Sequence, residues 1–402
     1  LAVLTDPAEV GFDASRLAVI DKVLGRYVDD GKLPGWSVLV SRRGHLVHLG
    51  RGGRRDIESD LPVEWDTIFR IYSMTKPVTS VAAMMLFEQG AFELRDPISR
   101  WLPEFADPRV WDGGSDLKPK TVPALEPIRV WHLLTHTAGL TYGFHRAHPV
   151  DAMYRAAGYE WAAPAAVDLG GATRAFAAMP LLYQPGSEWN YSVATDVLGR
   201  LVEVLSGESL DAFFERHIFA PLGMTDTRFG TADPGRTAAL YTPGLLRNNA
   251  LGGLVVNPTW LSGGGGLTST LGDYHRFAEL LRGRGRFGET RLLGDRTVRY
   301  MASNHLPGGA DLAAFGRPLF AETPFDGVGF GLGFAVTLDP VATRTLGSPG
   351  EFSWGGAAST VFWVDPVEDI TTVFMTQLLP SSTYPIRSQL RQLVYSALIG
   401  QR

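Results

Sequence analysis

Apolar and polar positions alternate at two different periods along this chain, and the periods mark out its regions. Residues from about Asp13 to Asp30 read as an amphipathic helix ending near Gly31. Two short strands are predicted next, Ser37 to Ser41 and His45 to Leu49, with a turn around Arg43-Gly44. A helical period resumes after Ser73. There Val78, Val81, Ala82, Met85 and Leu86 keep the spacing of one buried face, Pro77 suits the first turn, and Gly90 ends the run. The middle, to about residue 285, reads as helix-rich, with long connections containing Gly and Pro. The end returns to strands: Gly331 to Leu338, Glu351 to Val364 and Thr371 to Gln377, with turns at Asp339-Pro340 and Asp365-Pro366. A last amphipathic helix is predicted over about Pro385 to Leu398.

This order predicts an α+β fold, in which an antiparallel sheet is flanked by the two terminal helices and a mainly helical section forms a second lobe. The expected division is a discontinuous α/β lobe, 1–72 with 286–402, and a helical lobe, 73–285, with a cleft between them. Gly263 to Gly266 is too short to be a linker, and no internal repeat is evident.

Composition narrows the function classes. The 402 residues are 45% hydrophobic and 20% charged, as in ordinary soluble globular proteins. The absence of cysteine excludes disulfides, thiol nucleophiles and cysteine metal sites. A net charge of -5 without a basic run argues against a nucleic-acid partner. No apolar stretch is long enough to span a bilayer and no signal peptide is visible, so a cytoplasmic protein is expected, with no membrane partner.

Candidate chemistry begins with lysine, because the chain has only five lysines against 32 arginines. One of them completes Ser73-Met74-Thr75-Lys76. Three residues is just under one helical turn, so the two side chains share a face. A serine hydroxyl needs a neighbour to take its proton, and a desolvated lysine is able to do so. The helix N-terminus would also favour developing negative charge. The bland alternative is an N-cap serine beside a solvated lysine. Ser115-Asp116-Leu117-Lys118 has the same spacing and serves as an internal control: Gly113-Gly114, Pro119 and the lack of an apolar period make it a surface loop.

A Ser-Lys pair needs a third group to reach the leaving group. Tyr191 is the candidate, since a phenol beside a cationic lysine is held partly ionised; a half-buried core tyrosine is the competing reading. Asp196 either orients the site or caps a helix. One oxyanion donor is the N–H of Ser73, and a second is expected from the strand edge Trp354-Gly355-Gly356-Ala357, where glycine lets substrate approach the backbone. The aromatic segment from Thr141 to Ala178, with Tyr142 foremost, is expected to line or cap the pocket. His132, His136, His145 and His148 lack the glutamate and spacing of a metal motif, so neither a metal nor any other cofactor is expected. No G-x-S-x-G elbow, Walker loop or dinucleotide fingerprint is present.

Taken together, these segments resemble the serine β-lactamase and penicillin-binding-protein superfamily, and are most similar to family VIII carboxylesterases, which look like class C β-lactamases. The matching pieces are Ser73-Met74-Thr75-Lys76, Glu93 to Ile98 with Trp101 to Phe105, Leu133 to Leu140, Pro185-Gly186 leading to Tyr191-Ser192, Pro221 to Met224, Gly264 to Thr270, and Trp354-Gly355-Gly356. The resemblance implies Ser73 as nucleophile, Lys76 as its base partner, Tyr191 as second acid/base, and the N–H groups of Ser73 and Ala357 as the oxyanion hole. Two departures bear on substrate. The lactamase Tyr-x-Asn is Tyr191-Ser192-Val193, and the lactamase Lys-Thr-Gly is Trp354-Gly355-Gly356. Both remove contacts suited to a β-lactam and favour neutral esters. The expected function is a serine carboxylesterase acting on a small-molecule ester of short to medium acyl chain. An acyltransferase, a β-lactamase or D-amino-acid peptidase, and a catalytically silent binding protein are the alternatives.

Overall fold

In the computed structural model of the chain, residues 4–253 and 256–399 are described. The sheet is built from the two ends of the sequence. β1 (Gly35–Arg42), β2 (His45–Asp56) and β3 (Leu61–Pro62) come from the first, and β4 (Val328–Phe330), β5 (Ala335–Thr337), β6 (Phe352–Gly355), β7 (Val361–Asp365) and β8 (Ile370–Thr376) from the second. Their order is β4-β5-β6-β7-β8-β1-β2-β3, with every pairing antiparallel. The seam between the chain ends is the β1–β8 ladder, where Val38 faces Phe374 and Leu39 faces Val373.

Over β1, β7 and β8 both faces of the sheet are covered, so side chains of either direction are buried there. Val38, Val40, Trp363 and Phe374 pack with α1 (Ala14–Asp29) and α4 (Ile386–Ser396), the two terminal helices. Leu39, Phe362, Val364 and Val373 point the other way, into the large core shared with the middle of the chain. Within that core are α2 (Thr75–Glu88) and α3 (Ala194–Ser206). The amphipathic helices expected at the termini and the antiparallel sheet are thus present.

Several predicted elements differ in detail. β2 runs on to Asp56 rather than stopping at Leu49, since it stays paired with β1 through Gly35 opposite Gly53; a Cβ on Gly50 would meet the Asp21 carboxylate and one on Gly52 the Trp36 indole. The stretch 331–338 read as one strand is the turn and second arm of the β4–β5 hairpin. The stretch 351–364 is likewise two strands, β6 and β7, joined by a turn in which Gly356 N–H donates to Thr360 O at 2.9 Å. Asp339-Pro340 opens a short helix, with Asp339 capping it, rather than making a simple turn. α2 is buried nearly all round instead of on one face, since it runs through the middle of the core. The Ser115-Lys118 segment is the tip of an exposed hairpin, not an irregular loop; Ser115 Oγ accepts from the Lys118 backbone N–H at 3.2 Å.

Candidate active site

Ser73 lies in a single 3₁₀ turn, Tyr72–Met74, that runs directly into α2. Tyr72, immediately before it, has a left-handed φ of 43°, a strained conformation for a side-chain-bearing residue. The sharp bend aims Ser73 at a cavity of about 290 Å³, while Lys76 sits in the first turn of α2 beside it. Lys76 is the only one of the five lysines that is buried.

The structure brings Ser73, Lys76 and Tyr191 together. Tyr191 donates its hydroxyl hydrogen bond to Ser73 Oγ at 2.5 Å, and Lys76 Nζ donates to the same oxygen at 3.3 Å. Lys76 Nζ also donates to the carbonyl of Gly264 at 2.7 Å. The ammonium position lies over the Tyr191 ring, 4.5 Å from its centroid. Burial pulls the Lys76 pKa down to about 7, against the opposing pull of Asp196 and Glu322. Burial also holds the Tyr191 phenol well above its ordinary value, with Glu322 adding to the effect and the Ser73 hydrogen bond working against it. The expectation of a partly ionised tyrosine therefore fails. Burial disfavours the charged form of both groups: the phenol is held protonated, and the lysine is brought to where a substantial fraction is the free amine at neutral pH.

Tyr191 is fixed by packing. Its ring centroid lies 5.2 Å from those of His136 and Tyr142 and 5.3 Å from that of Trp354. Asp196 is on α3, with its carboxylate buried. Its Oδ1 accepts from Ser262 Oγ at 2.6 Å and from the Gly264 N–H at 3.2 Å. Asp196 thus shapes the loop whose carbonyl holds Lys76. The glycine run is explained by the same packing: a Cβ on Gly264 would stand 2.6 Å from Asp196 Oδ2, and one on Gly263 2.8 Å from Thr195 O.

Of the strand-edge residues, only Ala357 lines the cavity. Trp354 is buried behind Tyr191, in ring contact with Phe330 as well. The spaces beside Gly355 and Gly356 are filled from within the protein, by the Arg387 guanidinium and by the Ile71 carbonyl with Thr360 Oγ1. The glycines therefore admit protein groups, not substrate. The backbone N–H groups of Ser73 and Ala357 donate to no protein acceptor among the described residues.

The cavity walls are aromatic, with Tyr142, Phe144, Trp161, Phe176 and Trp260 from the middle of the chain. Phe144 stacks between Tyr142 and Trp161, with centroids 4.5 Å apart on each side. The four histidines do not converge. His132 Nδ1 accepts from the Arg129 N–H, and His148 Nδ1 accepts from the Val150 N–H. Among the described residues no group of three or more His, Asp or Glu is placed to hold a metal ion. Nor is any helix among them long and apolar enough to cross a membrane.

Sequence reasoning missed Gly264, Ser262, Glu322 and Arg387 as contributors. The glycine run was a visible signal for the first two. Glu322 and Arg387 lie in segments whose pattern points only to a loop and a terminal helix.

Comparison with known proteins follows the same lines. A Beta-lactamase family profile matches residues 20–396. Protein Rv1367c of Mycobacterium tuberculosis is 37% identical over 88% of this chain and 88% of its own. Esterase EstB of Burkholderia gladioli is 32% identical over 98% of this chain and 99% of its own. Among solved structures, EstCE1, described as a hydrolase with promiscuous acyltransferase activity, superposes with a TM-score of 0.80 at 29% identity, covering 95% of this chain and 99% of its own. The chain belongs to the Beta-lactamase family, within the serine β-lactamase and penicillin-binding-protein superfamily, and is similar there to the family VIII esterases.

Proposed function

We propose that this protein is a serine carboxylesterase that works through an acyl-enzyme on Ser73. The observation that carries the reading is the placement of one serine hydroxyl between a buried lysine and a buried tyrosine at the wall of an aromatic cavity. The cleft is read as lying between the lobe of 1–72 with 286–402 and the lobe of 73–285. Its lining supports this, with Tyr72, Phe320 and Ala357 from the first and Tyr142, Trp161 and Gly264 from the second.

In the proposed cycle the Lys76 amine takes the Ser73 proton as Oγ bonds to the ester carbonyl carbon. The carbonyl oxygen becomes an oxyanion held by the N–H groups of Ser73 and Ala357. As the tetrahedral adduct collapses, the ester C–O bond breaks. The proton taken by Lys76 is returned through Tyr191 to the leaving alkoxide. Water then repeats the sequence on the acyl-enzyme and releases the acid. An amine base and a phenol acid, both favoured by burial, suit these roles at neutral pH.

The substrate class follows from charge. Trp354 supplies no cation, Arg387 is engaged by Glu322 and two backbone carbonyls, and Arg70 on the cavity lining donates to the Ala238 carbonyl, while the carboxylates of Glu322 and Asp196 line the same cavity. A carboxylate on the substrate would lose its hydration without repayment, whereas a neutral ester loses little. Acyl transfer to an alcohol is a second reading, favoured by the aromatic walls and by the description of EstCE1.

A serine-reactive phosphonate tests the whole proposal. Labelling of Ser73, read by peptide mass spectrometry, with parallel loss of p-nitrophenyl ester hydrolysis is the expected result. An unlabelled Ser73 would leave a silent binding protein as the better account. Adding a short-chain alcohol to the assay separates the two enzymatic readings, since a transferase forms the new ester at the expense of free acid.

A further inference from the structure

We infer that Arg387 is a positioning residue for the oxyanion hole, acting through the peptide unit that joins Gly356 to Ala357. This rests on the proposed role of the Ala357 N–H. Arg387 is the second residue of α4, whose apolar residues pack in the core of the terminal helices, and it does not itself line the cavity. Its Nη2 donates to Gly356 O and to Thr360 O, each at 2.9 Å. Gly356 O belongs to the same peptide plane as the Ala357 N–H. In a trans peptide the carbonyl and the N–H point in opposite directions, so anchoring one aims the other. Here the carbonyl accepts both from the Ser359 N–H at 2.9 Å and from the Arg387 cation, and Ala357, which carries the N–H, lines the cavity. A charged donor on the carbonyl also polarises the amide and makes its N–H a stronger donor.

The surroundings are arranged to hold the guanidinium in this one place. Glu322, whose side chain is fully buried, pairs with Nη2 at 2.7 Å and accepts from Nη1 through its own backbone carbonyl at 3.0 Å. Ser381 Oγ donates to the same Glu322 carboxylate oxygen at 2.9 Å. Gly355 leaves the necessary space: a Cβ there would lie 2.3 to 2.7 Å from three guanidinium atoms. A lysine offers a single charged point and cannot reproduce this planar fork. The turn from Gly356 to Thr360, closed by its own bonds from Gly356 N–H to Thr360 O and from Ser359 N–H to Gly356 O, is thus reinforced at both carbonyls by one side chain, which the glycine before it has room to admit.

The test compares an ester with its thionoester, in which sulfur replaces the carbonyl oxygen and accepts hydrogen bonds poorly. Discrimination between the two reads the oxyanion hole itself. In R387A, kcat for the ester is expected to fall by about tenfold to a hundredfold with little change in KM. The ester-to-thionoester ratio is expected to fall with it, and added guanidinium ion to restore both. If R387A does not fold, R387K serves: it keeps the charge and should show a smaller drop in the ratio at native Tm. A folded R387A or R387K with native kcat and native ratio overturns the inference while leaving the hole intact. A wild-type ratio near one instead removes the Ala357 reading, and the inference with it.

Discussion

The Tyr191 hydroxyl stands 2.5 Å from Ser73 Oγ, closer than the Lys76 amine at 3.3 Å, so the phenol is the tighter partner of the serine in the resting site. In the proposed cycle Tyr191 stabilises the serine oxygen and later serves the leaving oxygen, while Lys76, also in contact with Oγ and with its pKa pulled down to about 7, accepts the proton.

Ser73→Ala is therefore expected to lower kcat for p-nitrophenyl butyrate by at least ~10³ without changing Tm. Ser115→Ala carries the same Ser-x-x-Lys spacing on an exposed hairpin and should be inert. Equal losses from both would overturn the assignment of the nucleophile.

The acylation rate should climb with pH through a midpoint close to 7, where Lys76 loses its proton. The sign follows from the roles: the working form is the amine, so activity is low below the midpoint and full above it. Lys76→Arg keeps a cation that cannot be deprotonated and is expected to be nearly inactive at every pH. A pH–rate profile of Lys76→Arg that retained the limb would assign it to another group.

Tyr191→Phe is expected to be as severe as Lys76→Ala and non-additive with Ser73→Ala, because the three act as one unit. Tyr142→Phe removes a hydroxyl from the cavity wall but no hydrogen bond to Ser73, and should be mild. Kinetics of the single and double variants decide between the two tyrosines; a silent Tyr191→Phe with a dead Tyr142→Phe would reverse their roles.

Short-chain aryl esters should be cleaved far more efficiently than nitrocefin, as judged by kcat/KM. Restoring a lysine at the Trp354 position is not expected to help β-lactams. Trp354 is 1% exposed and packs against Tyr191 and Phe330, so Trp354→Lys would bury an unpaired charge and should lower Tm instead. Nitrocefin hydrolysis matching that of the ester would indicate a β-lactamase that draws its cation from elsewhere.

Gly264→Ala tests the glycine run. The added methyl would meet Asp196 Oδ2 at 2.6 Å and push on the loop whose carbonyl holds Lys76. A loss of about 1–3 kcal/mol in stability is expected by analogy with overpacked cores, together with an altered midpoint in the pH–rate profile. Denaturant melts and the profile measure the two effects separately.

Local pattern alone located the terminal helices, the antiparallel strands at both chain ends, the helix after Ser73 and the Ser-Lys pair. These are legible because they rest on neighbours in sequence: an apolar period, a turn residue, a spacing of three. Tertiary structure decided what lies across the fold. That α2 is buried all round depends on what surrounds it, and so does the 2.5 Å approach of Tyr191, a candidate already named from the sequence, to Ser73. Burial from many distant residues lowers the Lys76 pKa to about 7 and keeps Tyr191 a phenol, against the ionised tyrosine expected from pairing alone. The glycines of Trp354-Gly355-Gly356 show the same limit. Their small size was visible, but whether the space admits a substrate or Arg387, more than thirty positions away, is set by the closing of the sheet on the last helix. Sequence carries the period of each element; which faces meet, and which charges lose their water, is settled only when the two ends of the chain pair.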